Sequence, residues 1–193
     1  MGEAEWIRLS QKGDMDAFSQ LVSLYEKRVV NFAYRMLKDT HEAEDAAQEA
    51  FLRAWKHINS FRPEASFHTW ILSIVNRICL DILRKKKRTG EQTHISIHQA
   101  PEGEDEYAIQ IEDTAPGPDE VYRQKTAMQL VEQAIGELSE EHRAVILMRD
   151  INGLEYDEIA KATGASLGTV KSRLNRARMA LRKILEKNME LFS

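Results

Sequence analysis

The chain has 193 residues, 42% of them hydrophobic and 30% charged, with nine Gly and four Pro; this length holds one medium domain or two small ones, and the composition excludes a fibrous or low-complexity protein. The lone Cys79 excludes an intramolecular disulfide and, by itself, a structural zinc site, and it points to a reducing cytosolic compartment. The formal net charge is -4; no apolar run approaches the roughly 20 residues of a membrane span, and the opening MGEAEWIRLS has neither a basic nor an apolar signal region, so neither membrane insertion nor secretion is expected.

The first predicted element is a long amphipathic helix. Phe18, Leu21, Val22, Tyr25, Val29, Phe32, Ala33 and Met36 recur at three and four residues, with Asp14 placed as an N-cap. A second helix starts near Asp39, which stands in capping-box spacing with Glu42, and turns Ala43, Ala46, Ala47, Ala50, Phe51, Ala54 and Ile58 inward. Its opposite side carries Asp45, Gln48, Glu49 and Leu52, a polar face that spacing alone leaves as an ordinary solvated one. His41, Glu42, Glu44 and Asp45 point in different directions around a helix and match no metal-binding pattern. The connection HINSFRPEASFHTW gathers Phe61, Phe67 and Trp70 near a loop. A third helix from about Ser66 carries Phe67, Ile71, Ile74, Val75, Ile78 and Ile82 inward, shows Thr69, Ser73, Asn76 and Arg77 on its polar side, and runs into the basic tail 84–88. Aromatics beside cations can hold unstacked bases; aromatics near a loop are more often core, and Phe67 and Trp70 are expected there.

Residues 91–122 differ in kind. They carry nine acidic residues and no Lys or Arg, with three of the four prolines, whereas residues 1–90 and 123–193 are each mildly basic. Like charges and turn formers together are expected of a disordered linker. The alternations HISIHQ and YAIQIED resemble short strands but have no partner strand.

Further helices are expected near 119–136, 139–151, 155–162 and 166–187. The last two, in YDEIAKATGASLGTVKSRLNRAR, have the signature of a helix-turn-helix: a short helix, a break at Gly164, an N-cap at Ser166 and a basic second helix. At 100° per residue Val170, Leu174, Ala177 and Leu181 form one stripe that faces a core, and Ser172, Asn175, Arg176 and Met179 project oppositely, flanked by Lys171, Arg173 and Arg178. No acidic residue lies between Glu158 and Glu186. Polar side chains outward with cations on the flanks suit base edges and phosphates. The expected fold class is all-α: two small helical domains joined by a flexible acidic linker, the second containing the helix-turn-helix.

The segments QKGDMDAF, HEAEDAAQEAFLRAW, SFRPEASFHTWILSIVNRICLDILR and LSEEHRAVILMRDINGLEYDEIAKATGASLGTVKSRLNRARMALR resemble those of a bacterial RNA polymerase sigma factor of the extracytoplasmic-function group, and together they span nearly everything but the linker. The resemblance implies a core-binding and minus-ten-reading domain over 1–90, a linker over 91–122 and a minus-thirty-five-reading domain over 123–193. It implies that Asp45, Gln48, Glu49, Leu52 and Arg53 dock on core polymerase, and that Asn59, Phe61, Arg62 and Phe67 belong to a base-capturing loop with Trp70, Asn76 and Arg77 beside it. It also implies that Lys171, Ser172, Arg173, Asn175, Arg176 and Arg178 serve the minus-thirty-five element. Core polymerase, promoter DNA and an anti-sigma factor are the implied partners, in the cytoplasm. Two positions depart from the pattern: Glu155 replaces a small capping residue, which predicts a weaker helix start, and Pro63-Glu64 replaces a glycine-containing turn.

No catalytic residue, metal or cofactor is expected, because no convergent nucleophile, Cys or His motif is present. The alternative reading is a stand-alone helix-turn-helix regulator that binds duplex operators as a dimer.

Overall fold

A short helix that the periodicity does not announce opens the chain. In the structure, a computed structural model that describes residues 2–90 and 118–190, α1 (Glu3–Ser10) packs Trp6 and Ile7 onto the core and accepts the Tyr25 hydroxyl on Glu3 at 2.9 Å. The expected caps then start the long helices. Asp14 accepts the Ala17 N–H at 3.0 Å to open α2 (Met15–Leu37). Asp39 accepts the Glu42 N–H at 2.9 Å to open α3 (Thr40–His57). After a 3-10 turn over Ile58–Ser60, Ser66 accepts the Thr69 N–H at 3.0 Å and opens α4 (Phe67–Thr89). Each such cap contributes about 1 kcal/mol by satisfying an orphan donor of the first turn.

The alanines of α3 are the means of close approach. Ala43, Ala46, Ala47, Ala50 and Ala54 are buried against α2 and α4, whose Leu21, Val29, Phe32, Ile71 and Val75 are wholly inaccessible or nearly so. Ile74 and Ile82, expected inward on α4, are only half-buried, and Leu72, Cys79 and Leu83 take the core positions. Burial pushes the Cys79 thiol up to about 12, so it is an inert apolar filler.

The second group comprises α5 (Pro118–Glu137), α6 (Glu140–Ile146), α7 (Tyr156–Thr163) and α8 (Leu167–Glu190). The acidic stretch lies outside the described residues from 91 to 117, as do both strand-like alternations. The helix expected over 139–151 changes pitch: after α6 the chain makes a π-helical turn over Leu147–Ile151, where the Asn152 N–H reaches back five residues to the Leu147 carbonyl at 3.0 Å. Gly153, at φ +72°, then takes the left-handed conformation that ends the segment. Gly164, at φ +70°, does the same between α7 and α8. Among the described residues every regular element is helical, and the fold is all-α.

The two groups meet along α4 with α7 and along α2 with α5 and α6. Arg143 on α6 is 9% exposed and donates to the Met36 carbonyl at the end of α2 at 2.5 Å. Lys38, the one non-glycine residue with positive φ among those described, ends α2 and donates to the Glu132 carbonyl at 3.0 Å. Its side chain lies so close to Gly136 that a Cβ there would meet Lys38 Cε at 2.8 Å.

Candidate nucleic-acid interface

The basic helix α8 is oriented by its apolar stripe. Val170, Leu174 and Ala177 are at most 1% exposed, with Leu181 half-buried below them, so Lys171, Ser172, Asn175, Arg176 and Met179 stand in solvent on the other side. Ser166 accepts the Thr169 N–H at 3.1 Å and fixes where the helix begins. The flanking cations are held by carboxylates of the preceding segment: Arg173 pairs with Glu141 at 2.9 Å, and Arg178 grips both oxygens of Asp150 at 2.5 and 3.1 Å. That bidentate hydrogen bonding raises the Arg178 pKa further.

Glu155 does not weaken the start of α7. The Glu158 carboxylate accepts the Glu155 N–H at 2.8 Å, and the Glu155 carboxylate pairs with Arg149 at 2.8 Å, whose guanidinium lies 5.1 Å from the Tyr156 ring centre. The expected loss is absent because a reciprocal box of two glutamates replaces the single small cap.

Around the loop before α4, the aromatics are structural. Phe61 is 6% and Phe67 1% exposed, and with half-buried Trp70 they form a cluster with ring centres 5.1 to 5.9 Å apart. Asn76 is 4% exposed, its Oδ1 without a hydrogen-bond partner. Phe61 and Phe67 are therefore core side chains beside the loop, as the core reading of the loop aromatics expects, and Asn76 is buried further along α4. Asn59, Arg62 and Arg77 are exposed. Gln11, in the turn after α1, donates to the Ile58 and Phe61 carbonyls at 3.2 and 3.1 Å and pins the loop's start from 47 and 50 residues away.

On α3, Asp45, Gln48, Leu52 and Arg53 are exposed and Glu49 half-buried, with Glu49 paired to Arg53 at 2.7 Å. Leu52, 66% exposed, borders a groove of about 660 Å³ between α2 and α3 whose wall includes Met15, Val22, Phe51 and Trp55. An exposed apolar side chain beside charges at a groove mouth suits a protein partner.

Both halves match known families. Residues 21–89 match Sigma-70 region 2 and residues 128–181 match Sigma-70, region 4. The chain is 37% identical over 180 residues to the ECF RNA polymerase sigma factor SigW of Bacillus subtilis (strain 168), across 93% of this chain and 94% of that one. This chain belongs to the ECF RNA polymerase sigma factors. It is also 31% identical over 171 residues to the ECF RNA polymerase sigma-E factor of Escherichia coli (strain K12), across 89% and 87% of the two chains. In fold it is similar to CnrH, solved with the cytosolic domain of CnrY, with a TM-score of 0.66 at 21% identity over 94% and 96% of the chains. It is likewise similar to RpoE of Bartonella quintana, solved with the anti-sigma factor NepR, with a TM-score of 0.64 at 23% identity over 88% and 96%.

As an ECF sigma factor the chain binds core RNA polymerase and directs promoter-specific initiation. Matches in both halves disfavour a self-sufficient operator-binding regulator. Sequence reasoning missed Gln11, Arg143 and the Thr69–Glu158 contact of this sigma factor. QKGDMDAF was a visible signal for Gln11, but a polar residue that bonds two distant carbonyls has no local periodicity to betray it.

Proposed function

We propose a division of labour within the sigma factor. Residues 1–90 dock on core and capture the minus-ten element, the acidic stretch that begins at 91 joins the domains and ends where α5 starts at Pro118 rather than at 122, and residues 123–193 read the minus-thirty-five element. The observation that carries this reading is the orientation of α8, whose polar outward side is fixed by burial of Val170, Leu174 and Ala177. Ser172, Asn175 and Arg176 reach base edges, while Lys171, Arg173 and Arg178 neutralise phosphates. At the minus-ten element, Asn59, Arg62, Trp70 and Arg77 face the nucleic acid, while Phe61, Phe67 and Asn76 are buried. Asp45, Gln48, Glu49, Leu52 and Arg53 form the polymerase-docking face. The chain acts by binding, without chemistry of its own, in the cytoplasm; among the described residues no helix is long and apolar enough to cross a membrane. An anti-sigma factor is a further partner, a reading supported by the likeness in fold to RpoE, solved with one.

Reversing Asp45 and Glu49 to Lys tests the assignment directly. Both side chains lie opposite the alanine stripe, so core binding is expected to fall at least about tenfold, a change of 1.4 kcal/mol, with helicity unchanged by circular dichroism. Retained core binding would place the docking face elsewhere.

A further inference from the structure

Helix α1 and the turn after it are joined to the loop before α4 at both of the loop's ends. At the start, the Gln11 amide donates to the Ile58 carbonyl at 3.2 Å and to the Phe61 carbonyl at 3.1 Å. A side-chain amide nitrogen carries two hydrogens, and both go to the short turn Ile58–Ser60 and the residue that follows it. The last carbonyls of a helix are short of donors, so a donor brought from elsewhere in the chain fixes where the backbone leaves α3. Local bonds reinforce the turn: the Ser60 hydroxyl donates to the His57 carbonyl at 2.7 Å, and the Phe61 N–H to the Ile58 carbonyl at 3.1 Å.

At the far end of the loop, Glu3 accepts the Tyr25 hydroxyl at 2.9 Å. The Tyr25 ring lies 5.4 Å from that of Phe67 and 5.7 Å from that of His68, the first two residues of α4. Between these anchors Asn59, Arg62, Pro63 and Glu64 are exposed, with Asn59 set between the two carbonyls that Gln11 holds. Gln11 is itself firmly placed. Its N–H bonds the Ile7 carbonyl at 3.0 Å, and neighbouring Ser10 is 1% exposed with its hydroxyl on the Trp6 carbonyl at 2.7 Å. Trp6 and Ile7 in turn pack on the core.

We propose that Gln11 is a positioning residue for minus-ten recognition: through it α1, which carries none of the residues read as core- or promoter-binding, holds Asn59 and Arg62 in place before a base arrives. The inference rests on the reading of residues 59–67 as a base-capturing loop. A loop ordered in advance has less conformational freedom to lose when it binds. Removing the brace therefore weakens capture of an unstacked base and spares core binding, whose docking face lies earlier on α3, at Asp45 to Arg53.

Holoenzyme assembled from the full chain and core polymerase tests this. A random pool of single-stranded DNA is selected on the parent holoenzyme after counter-selection on core alone, and the enriched sequence with its single-base variants serves as probe. Gln11→Met keeps an unbranched side chain of similar length and removes both donors. It is expected to weaken probe binding at least about threefold, the loss of one ordinary hydrogen bond, to narrow the preference for the enriched sequence over its variants, and to leave core affinity unchanged. Gln11→Glu, which sets a carboxylate against the two carbonyls, is expected to lose more, and Tyr25→Phe, which removes only the hydroxyl that Glu3 holds, to shift binding in the same direction. Circular dichroism monitors the fold, and a variant that loses helix is replaced by the other two. Variants that bind the probe as the parent does would overturn the proposal by making the contact incidental. Core affinity falling in proportion to probe affinity would overturn it too, because Gln11 would then support the whole domain. A parent holoenzyme that enriches no sequence would refute the base-capturing reading and the positioning role with it.

Discussion

Helices α4 and α8 look alike in sequence and differ in what they show to solvent. Each has an apolar stripe and a polar side; on α8 the polar side is outside, with Val170 and Leu174 at 1% exposure beneath it, whereas on α4 Thr69 and Asn76 of the polar side are 2% and 4% exposed. The reason is where the neighbours lie, since each helix has three. Helix α8 packs against α5, α6 and α7, and Lys171, Ser172, Asn175 and Arg176 remain in solvent, but α4 lies among α2, α3 and α7. A hydrophobic stripe therefore locates a binding face only when nothing else covers the far side of the helix.

Phe67 is where core and reading surface can be told apart, since its ring is 1% exposed beside the loop. Truncating Phe67 to Ala is expected to destabilise the fold by about 3–5 kcal/mol, as for other buried aromatics, while Asn175→Ala stays within about 0.5 kcal/mol. Urea denaturation separates them; full stability in the Phe67 variant with loss of promoter opening would make its ring a base contact. A smaller effect sharpens the α8 side. Arg176→Ala is expected to cost about 1–3 kcal/mol in promoter binding and to relax selectivity at the minus-thirty-five element, whereas Arg178→Ala weakens all sequences alike and lowers the salt slope by about one. Transcription with core on a promoter panel, repeated across salt, distinguishes the two; equal losses on every promoter from Arg176→Ala would put the outward face out of phase.

The gentlest perturbation is acidity. Burial, then the charge of Arg28, hold the His68 pKa below its ordinary 6.5, against the opposing pull of Asn152, Glu158 and Glu3. His68 stacks on Tyr25 with ring centres 5.7 Å apart, next to Thr69 at the α4–α7 contact. A depressed histidine is neutral when folded, so its contribution is whole above pH 6.5 and is lost as pH falls below that value toward the folded pKa. Stability measured from pH 7.5 to 5.5 is expected to decline, and His68→Gln to flatten that decline. Helix α8 carries no histidine, so its reading face gives no matching response.

Much of this was legible in the chain itself. Asp14, Asp39, Ser66 and Ser166 mark helix starts because short polar side chains compete for orphan N–H groups, and the alanine stripe of α3 and the Val170–Leu174–Ala177 line follow helical periodicity. The extra residue in the turn at 147–151 was not, since a π-helical turn is stabilised by its surroundings and leaves no periodic trace. Nor was the docking of the two halves. Arg143 reads as one more surface cation until its four carbonyl partners, at both ends of the contact, are known.

The glycine opposite Lys38 gives that contact a volume control. A methyl at Gly136 would fall 2.8 Å from Lys38 Cε, the distal part of a flexible chain, so the lysine and not the helix would yield. Gly136→Ala thus has two effects of opposite sign: α5 gains up to about 1 kcal/mol in helix propensity, and the ammonium is pushed off the Glu132 carbonyl that it holds at 3.0 Å. A lost hydrogen bond costs about 0.5–1.5 kcal/mol, so the two nearly cancel and a thermal melt should move little. One added carbon would loosen the seam between the two groups of helices without unfolding either.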